Sequence, residues 1–388
     1  MLTESYRDAH RYDGAVVHHD RRERLVPCAV QPRDLAVVRD VWRYKFLSAP
    51  QLGELWWSGG AAWPMQRRLR KLFDAGFVER FRPLARRGSY PWTYHLGEEG
   101  HRLLRLAGVI PAAMRFRPRA IYDYGHVLHE LQLDAWVLAV RRAAGEAFLA
   151  WDGEVDVEPP REARPIEPIM IGDDWSVENL RDPRPRLIRP DAVLTLDPGD
   201  DSGDRVFFIE YDRTRRVDKN YEKFRRYDAF LTWWWRHTAY VDDGEPPAVV
   251  FVCQDPKQRE QFLIAADREL TGHHWHPGFP PDRYAFPGRR WMLFAVEHHA
   301  HAGVLEAWRL PPFPPNHPER GEGTVRRLLL ARPTSQPADE DGQLKLFVSP
   351  VAPRDGDRSC RPHGIGQALS IASTAQRSAA SAVARAAS

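Results

Sequence analysis

The pattern of apolar and polar positions predicts a small helical domain at residues 31–108. Three amphipathic helix patterns come first, one starting at Pro32, one capped by Ser48 and one running over residues 63–76. Two strand-like runs and a closing helix pattern follow, over residues 77–106. Three helices followed by a two-stranded wing is the order of a winged helix-turn-helix domain, in which the third helix enters the major groove of DNA.

The third predicted helix and the wing carry a dense group of cations. Residues 61–90 hold eight Arg or Lys against two acids, although the whole chain has a net charge of only +3. Such cations can neutralise phosphates on both sides of a groove, which makes double-stranded DNA the expected partner. An ordinary solvated helix face is the alternative, and a homodimer is compatible with the sequence. The candidate DNA-binding residues are Arg67, Arg68, Arg70, Lys71, Arg80, Arg82, Arg86 and Arg87.

A second domain is predicted at residues 123–311, after a linker at 109–122. Its order is helix, three strands, helix, strand, helix and strand, and the strands are short runs rich in Val, Ile and Phe. Residues 157–187 are rich in proline and mixed in charge, so we expect a surface insertion there. A mixed sheet with helices on its faces satisfies this order, and the predicted fold class is α/β (α+β).

Acidic residues stand at the ends of two consecutive predicted strands. Asp191 begins the first strand, and Glu210 and Asp212 end the second. Carboxylates that converge at strand ends can hold one divalent cation, because hard cations prefer oxygen ligands. Glu130, on the preceding predicted helix, is a further candidate ligand. Plain surface acids are the alternative for the strand ends, and a hydrogen-bonded group at the edge of the core is the alternative for Glu130.

The spacing of these acids resembles that of the PD-(D/E)XK nucleases. Pro190 and Asp191 are followed by eighteen residues and then by Glu210, and the order helix, three strands, helix and strand also matches. The resemblance implies a restriction-endonuclease-like domain in which Asp191 and Glu210 hold Mg²⁺ or Mn²⁺ and Glu130 assists. It also implies that the metal lowers the pKa of bound water and stabilises charge on the phosphate being cleaved.

The sequence departs from that family at its catalytic lysine, because Asp212 occupies the position. One interpretation makes Asp212 a third ligand and supplies the lysine from the next predicted helix, as Lys219 or Lys223, which lie one turn apart. The other interpretation is that the catalytic centre has been lost and that the domain only holds DNA or a partner.

Several segments together resemble the replication-relaxation family of bacterial plasmids and integrative elements. They are QLGELWW, RRLRKLFDAGFVERF and TYHLGEEGHRLL in the first domain, and RPDAVLTL and FFIEYDRT in the second. The resemblance implies a role in plasmid replication or in the relaxation of plasmid DNA. Together with the nuclease-like acids, it leads to the hypothesis of a DNA-binding protein with Mg²⁺-dependent nicking or cleavage. A non-catalytic replication accessory factor or a transcription regulator is the alternative.

The two ends of the chain differ from the domains in composition. We expect a flexible N-terminus at residues 1–30 and a mostly disordered tail at 312–388, which is rich in Pro, Gly, Ser and Ala. Within the tail, the sequence QLKLF resembles the peptide by which bacterial DNA-metabolism proteins bind the replication sliding clamp. A strand that folds back onto the body is the alternative. The residues of this peptide are Gln343, Leu344, Leu346 and Phe347.

Other features exclude several classes of protein. Three widely separated cysteines cannot form a disulfide framework, and no apolar run approaches the roughly 20 residues that span a bilayer. We therefore expect a cytoplasmic protein without a membrane partner. No Gly-Lys-Ser/Thr loop for phosphates is present, so no nucleotide cofactor is expected.

Overall fold

A computed structural model gives the fold of most of both predicted domains. Arg86, Arg87, Lys219 and the predicted clamp peptide lie outside the residues that it describes. The described residues are 17–20, 22–57, 62–83, 90–119, 121, 124–159, 187–199, 204–212, 220–270, 287–311 and 325–328.

The N-terminal domain has the predicted winged-helix order. The side chain of Ser48 accepts a hydrogen bond from the backbone N–H of Gln51, which confirms the predicted cap of the second helix. The elements are α1 (Pro32–Arg43), β2 (Leu47–Ser48), α2 (Ala49–Trp56), α3 (Ala62–Asp74), β3 (Val78–Pro83), β4 (Thr93–Leu96) and α4 (Glu98–Leu106).

Besides the two-residue β2, one further strand of this domain was not expected from the sequence. Strand β1 (Val17–His19) pairs antiparallel with β3, and the order of strands in this sheet is β1-β3-β4-β2. The prediction of a flexible N-terminus is therefore wrong for these residues. Their backbone groups are satisfied by the edge of the wing, which the composition of the segment alone does not indicate.

The second domain is a mixed sheet with the predicted order of elements. Within the described residues its strand order is β11-β10-β9-β8-β7-β6-β5; β7, β8 and β9 are parallel and the other pairs are antiparallel. The elements are α5 (Tyr124–Ala144), β5 (Phe148–Gly153), β6 (Ala192–Leu196), β7 (Arg205–Tyr211), α6 (Tyr221–Ala229), β8 (Ala248–Cys253), α7 (Pro256–Glu269), β9 (Met292–Val296), α8 (Glu297–His301), β10 (Glu306–Arg309) and β11 (Val325–Leu328).

Strand β11 lies inside the segment that was predicted to be a disordered tail. It pairs antiparallel with β10, so the ordered sheet extends beyond residue 312. The composition of the surrounding segment does not indicate this strand, because the strand has only four residues.

The two domains share one hydrophobic core. Val37 and Leu69 of the winged helix belong to the same buried cluster as Trp136 of α5 and Leu194 and Ile209 of the sheet. Polar contacts cross the same boundary, since the amide nitrogen of the Gln51 side chain donates to the carbonyl of Leu131 at 2.9 Å. The packing between the two domains is thus continuous with the packing inside each. Among the described helices, none is both long and apolar enough to cross a membrane.

Candidate nucleic-acid interface and carboxylate centre

The outer face of α3 presents cations and an aromatic ring to solvent. Arg67 and Lys71 are exposed, and the Arg67 guanidinium lies over the ring of Trp63, which is 67% exposed, at 5.3 Å from its centroid. Within the described part of the chain, neither cation is paired with a carboxylate. Leu69 and Phe73, on the opposite face, are fully buried. The helix therefore points these charges away from the core, where phosphates can reach them.

Two other predicted DNA contacts form internal ion pairs instead. The guanidinium of Arg68 bonds to Asp34, which is only 1% exposed, with 2.7 Å between Arg68 Nε and Asp34 Oδ1. Arg80 is buried and its Nε donates to Asp20 at 2.8 Å. The Arg80 guanidinium also stacks on Phe73 at 4.6 Å. Arg68 is thus partly buried and Arg80 is buried, and a carboxylate compensates the charge of each.

The last two described candidates lie at the rim of this surface. Arg70 is half-exposed and its Nε donates to Asp74 at 2.9 Å, so part of its charge is already compensated. Arg82, on β3, lies over the ring of Trp92 at 4.4 Å. Both remain within reach of solvent. Among the described candidates, Arg67, Lys71 and Arg82 have no carboxylate partner, and Arg67 and Lys71 are the most exposed of these three.

The acids at the strand ends meet as the sequence predicts. The antiparallel register pairs Ala192 with Ile209, and its continuation by one residue sets Asp191 opposite Glu210. The backbone N–H of Asp191 donates to the carbonyl of Ile209 at 2.9 Å, and Asp191 Oδ2 accepts from the backbone N–H of Tyr211 at 2.7 Å. The backbone of β7 therefore fixes the Asp191 carboxylate, next to Glu210.

Helix α6 supplies two partners to Glu210. Lys223 Nζ forms an ion pair with one carboxylate oxygen of Glu210, and the hydroxyl of Tyr227 donates to the other. The two residues are one helical turn apart, so they share the face that covers the end of β7. Lys223 thus stands beside the acids in the region where the family pattern expects a lysine. Tyr227 was not selected from the sequence, although its i, i+4 spacing from Lys223 was available as a signal.

Burial and mutual repulsion perturb the acids of this centre. The pKa of Glu210 is raised to about 7, mainly by burial and in part by the charge of Asp191, against the opposing effect of Lys223. Burial likewise raises the pKa of Asp191 to about 6. Burial lowers the pKa of Lys223, but the negative charges of Glu210 and Asp191 raise it by more. The net pKa of Lys223 is therefore above its ordinary value. Neighbouring groups with such pKa values are common at sites that bind cations or transfer protons.

The other two predicted ligands have different partners. Glu130 Oε2 lies 3.3 Å from Lys45 Nζ, so a lysine of the winged-helix domain holds this carboxylate. Asp212 Oδ2 accepts a hydrogen bond from the side-chain amide of Asn220 at 2.5 Å. Among the described residues, no group of three or more His, Cys, Asp or Glu side chains is arranged to hold a metal ion. The predicted three-carboxylate grouping is therefore not formed; the pair Asp191 and Glu210 is.

Comparison with protein families decides the assignment. The family model described as replication-relaxation matches residues 38–243, which covers the winged helix, the carboxylate centre and α6. The chain belongs to the replication-relaxation family. Neither a curated protein nor a solved structure gives a significant match to it. Family membership indicates a role in replication or relaxation. It does not establish the chemistry of the carboxylate centre.

The carboxylate pair of this replication-relaxation protein suits Mg²⁺ or Mn²⁺ in its donor chemistry. Mg²⁺ is commonly held by one or two carboxylates and completes its shell with water and substrate phosphate. Asp191 and Glu210 supply two such groups, and the raised pKa of each reflects negative charge that burial disfavours and a cation would stabilise. The pair therefore fits the group, without Glu130 or Asp212 as a third ligand.

Proposed function

We propose that this replication-relaxation protein binds double-stranded DNA through the exposed face of α3. The observation that carries the proposal is the position of Arg67 and Lys71. Both project from the third helix of a winged helix, where such domains enter the major groove, and neither is compensated by a described carboxylate. Arg70 and Arg82 flank them and extend the positive surface towards the wing.

Replacing Arg67 and Lys71 together by alanine should reduce the salt dependence of DNA binding. Each phosphate contact releases about one counterion, so the slope of log K against log salt should fall by about 2 in magnitude. Fluorescence anisotropy with a labelled duplex at several salt concentrations measures this slope. The matched control is Lys257→Ala with Arg268→Ala, two exposed cations of α7 on the other domain. A slope that the first variant leaves equal to wild type overturns the proposal.

A second candidate activity is metal-dependent cleavage of the bound DNA, and the pairing of Asp191 with Glu210 beside Lys223 favours it. When bound, Mg²⁺ or Mn²⁺ would activate water and stabilise charge on the phosphate. Asp191 and Glu210 would hold that ion from two adjacent strand ends. Tyr227 would fix the orientation of Glu210 through its hydrogen bond, and the ammonium of Lys223 would face the phosphate that is attacked.

Conversion of supercoiled plasmid to nicked or linear DNA tests this activity. We expect Mg²⁺- or Mn²⁺-dependent cleavage that falls at least about 100-fold in Asp191→Asn and in Glu210→Gln, because each removes an anionic ligand. Glu222→Gln, an exposed acid of α6, is the matched control and should cleave as wild type does. Cleavage that survives both site substitutions would arise from a contaminant. Absence of cleavage by wild type would assign the protein to the non-catalytic alternative, a replication accessory factor or transcription regulator.

A further inference from the structure

A cationic cavity of about 570 Å³ lies beside the winged helix, away from the exposed face of α3. Its walls come from the end of α1, from α4 and from the segment at residues 113–119. Four cations line it, Lys45, Arg115, Arg117 and Arg119, and none of the described lining residues is acidic. Among the described residues, the three arginines form no ion pair. Lys45 is paired with Glu130 and Glu154, so the three arginines carry the unopposed positive charge, which in one concave site favours an anionic ligand.

The cavity also offers flat apolar surface and an unsatisfied polar atom. Trp42 and Phe116 contribute to its walls, and the rings of Phe116 and His101 lie 5.6 Å apart. His101 is only 6% exposed, and its Nε2 has no hydrogen-bond partner within the described structure. Buried polar atoms are nearly always paired, so an unpaired one in a cavity wall indicates a missing donor or acceptor.

The backbone conformation of Lys45 is a further indication that the cavity is a binding site. Lys45 has a φ of +60°, the one positive φ among the described residues other than glycine. It follows the end of α1, where glycine is favoured because a side chain is strained in this conformation. The side chain kept there lines the cavity and reaches Glu130 and Glu154 at 3.3 and 3.7 Å. Strain of this kind persists where the surrounding structure holds the residue in place, and it is common at ligand sites.

We propose that this cavity binds one nucleotide unit of an unpaired nucleic-acid strand. The phosphate would lie beside Arg115 and Arg117, and the base would stack on Phe116, as in proteins that bind single strands. The volume suits one nucleotide and is too small for a duplex, whose bases are paired and stacked. The surface is distinct from the duplex face of α3, so the inference stands independently of duplex binding.

Charge reversal at the cavity tests the proposal. Arg115→Glu with Arg117→Glu should weaken binding of a labelled twelve-residue oligothymidylate at least tenfold in fluorescence anisotropy. Lys257→Glu with Arg268→Glu makes the same change in net charge on α7 and should leave the affinity within twofold of wild type. Phe116→Ala should weaken binding about tenfold through the lost stacking, and circular dichroism verifies that each variant is folded.

Other results of these measurements would overturn the proposal. An affinity unchanged by reversal at the cavity, or lowered equally by the control pair, overturns the proposal. Equal loss of affinity for a duplex would show that these cations serve duplex binding, which also overturns it. Thymidine monophosphate that displaces the oligonucleotide at micromolar concentration would assign the cavity to a free nucleotide instead. Arg67→Ala with Lys71→Ala should leave oligonucleotide binding intact even where duplex binding is lost, which separates this site from the face of α3.

Discussion

Substitution of Arg68 by methionine is expected to lower the free energy of unfolding by about 3–5 kcal/mol, the usual cost of removing one partner from a buried ion pair. Asp34 is almost fully buried and would lose the guanidinium that compensates it, although the backbone N–H of Gln31 would still donate to it at 2.6 Å. Methionine keeps much of the apolar stem of arginine, so the change isolates the charge. Urea denaturation followed by circular dichroism measures the difference.

Arg67→Met is the matched control for this prediction, because Arg67 lies on the same helix one residue away but is exposed. It should change the free energy of unfolding by no more than about 0.5 kcal/mol. The two substitutions should therefore separate stability from DNA binding, with Arg68 affecting the first and Arg67 the second. Equal stability of the two variants would contradict the structural role of the Arg68–Asp34 pair.

Substitution of Glu210 by glutamine is expected to change the pH dependence of stability. The pKa of Glu210 is about 7 in the folded protein and 4.5 for an ordinary glutamate. Between these two pH values, the folded state keeps a proton on this carboxyl group that the unfolded state has released. The free energy of unfolding should fall as pH rises through this window, by on the order of 3 kcal/mol from this group. Glutamine removes that contribution, whereas Asp191 retains its own, of the same sign.

Urea denaturation of wild type and Glu210→Gln at pH 5 and pH 8 tests this expectation. The stability of the variant relative to wild type should increase from pH 5 to pH 8, because only wild type must ionise a buried carboxylate over this range. Glu222→Gln is the control, since Glu222 is exposed and lies on the same helix as Lys223, in an ion pair with Arg226. Parallel pH profiles for wild type and Glu210→Gln would show that the glutamate ionises equally in both states.

The architecture was predictable because it rests on local periodicity. Helical spacing identifies α1 and α3, the Ser48 cap identifies α2, and short apolar runs identify β6 and β7. Proximity of Asp191 to Glu210 follows from the same reasoning, because a hairpin-like antiparallel pair brings the end of one strand to the start of the other.

The roles of individual cations were not predictable in this way. Helical periodicity shows that Arg68 points outward from α3, but it does not show that Asp34 of another helix lies against it. The same holds for Arg80, whose partner Asp20 follows a strand that composition gives no reason to expect. Glu130 was predicted as a metal ligand from its position on α5, whereas Lys45, 85 residues earlier, holds it. Contacts of this range depend on tertiary packing, which sequence patterns do not encode directly.

The shared core of the two domains has a consequence for how the protein would act along DNA. Trp136 of α5 is buried in the same cluster as Leu69 of α3, so the helix that would hold a duplex packs through this core against the domain that carries Asp191 and Glu210. The distance between a duplex bound at α3 and the carboxylate centre is therefore fixed by the packing of the two domains against each other. A reaction at that centre would occur at a constant number of base pairs from the bound segment, and lengthening the surface loops would not alter that number.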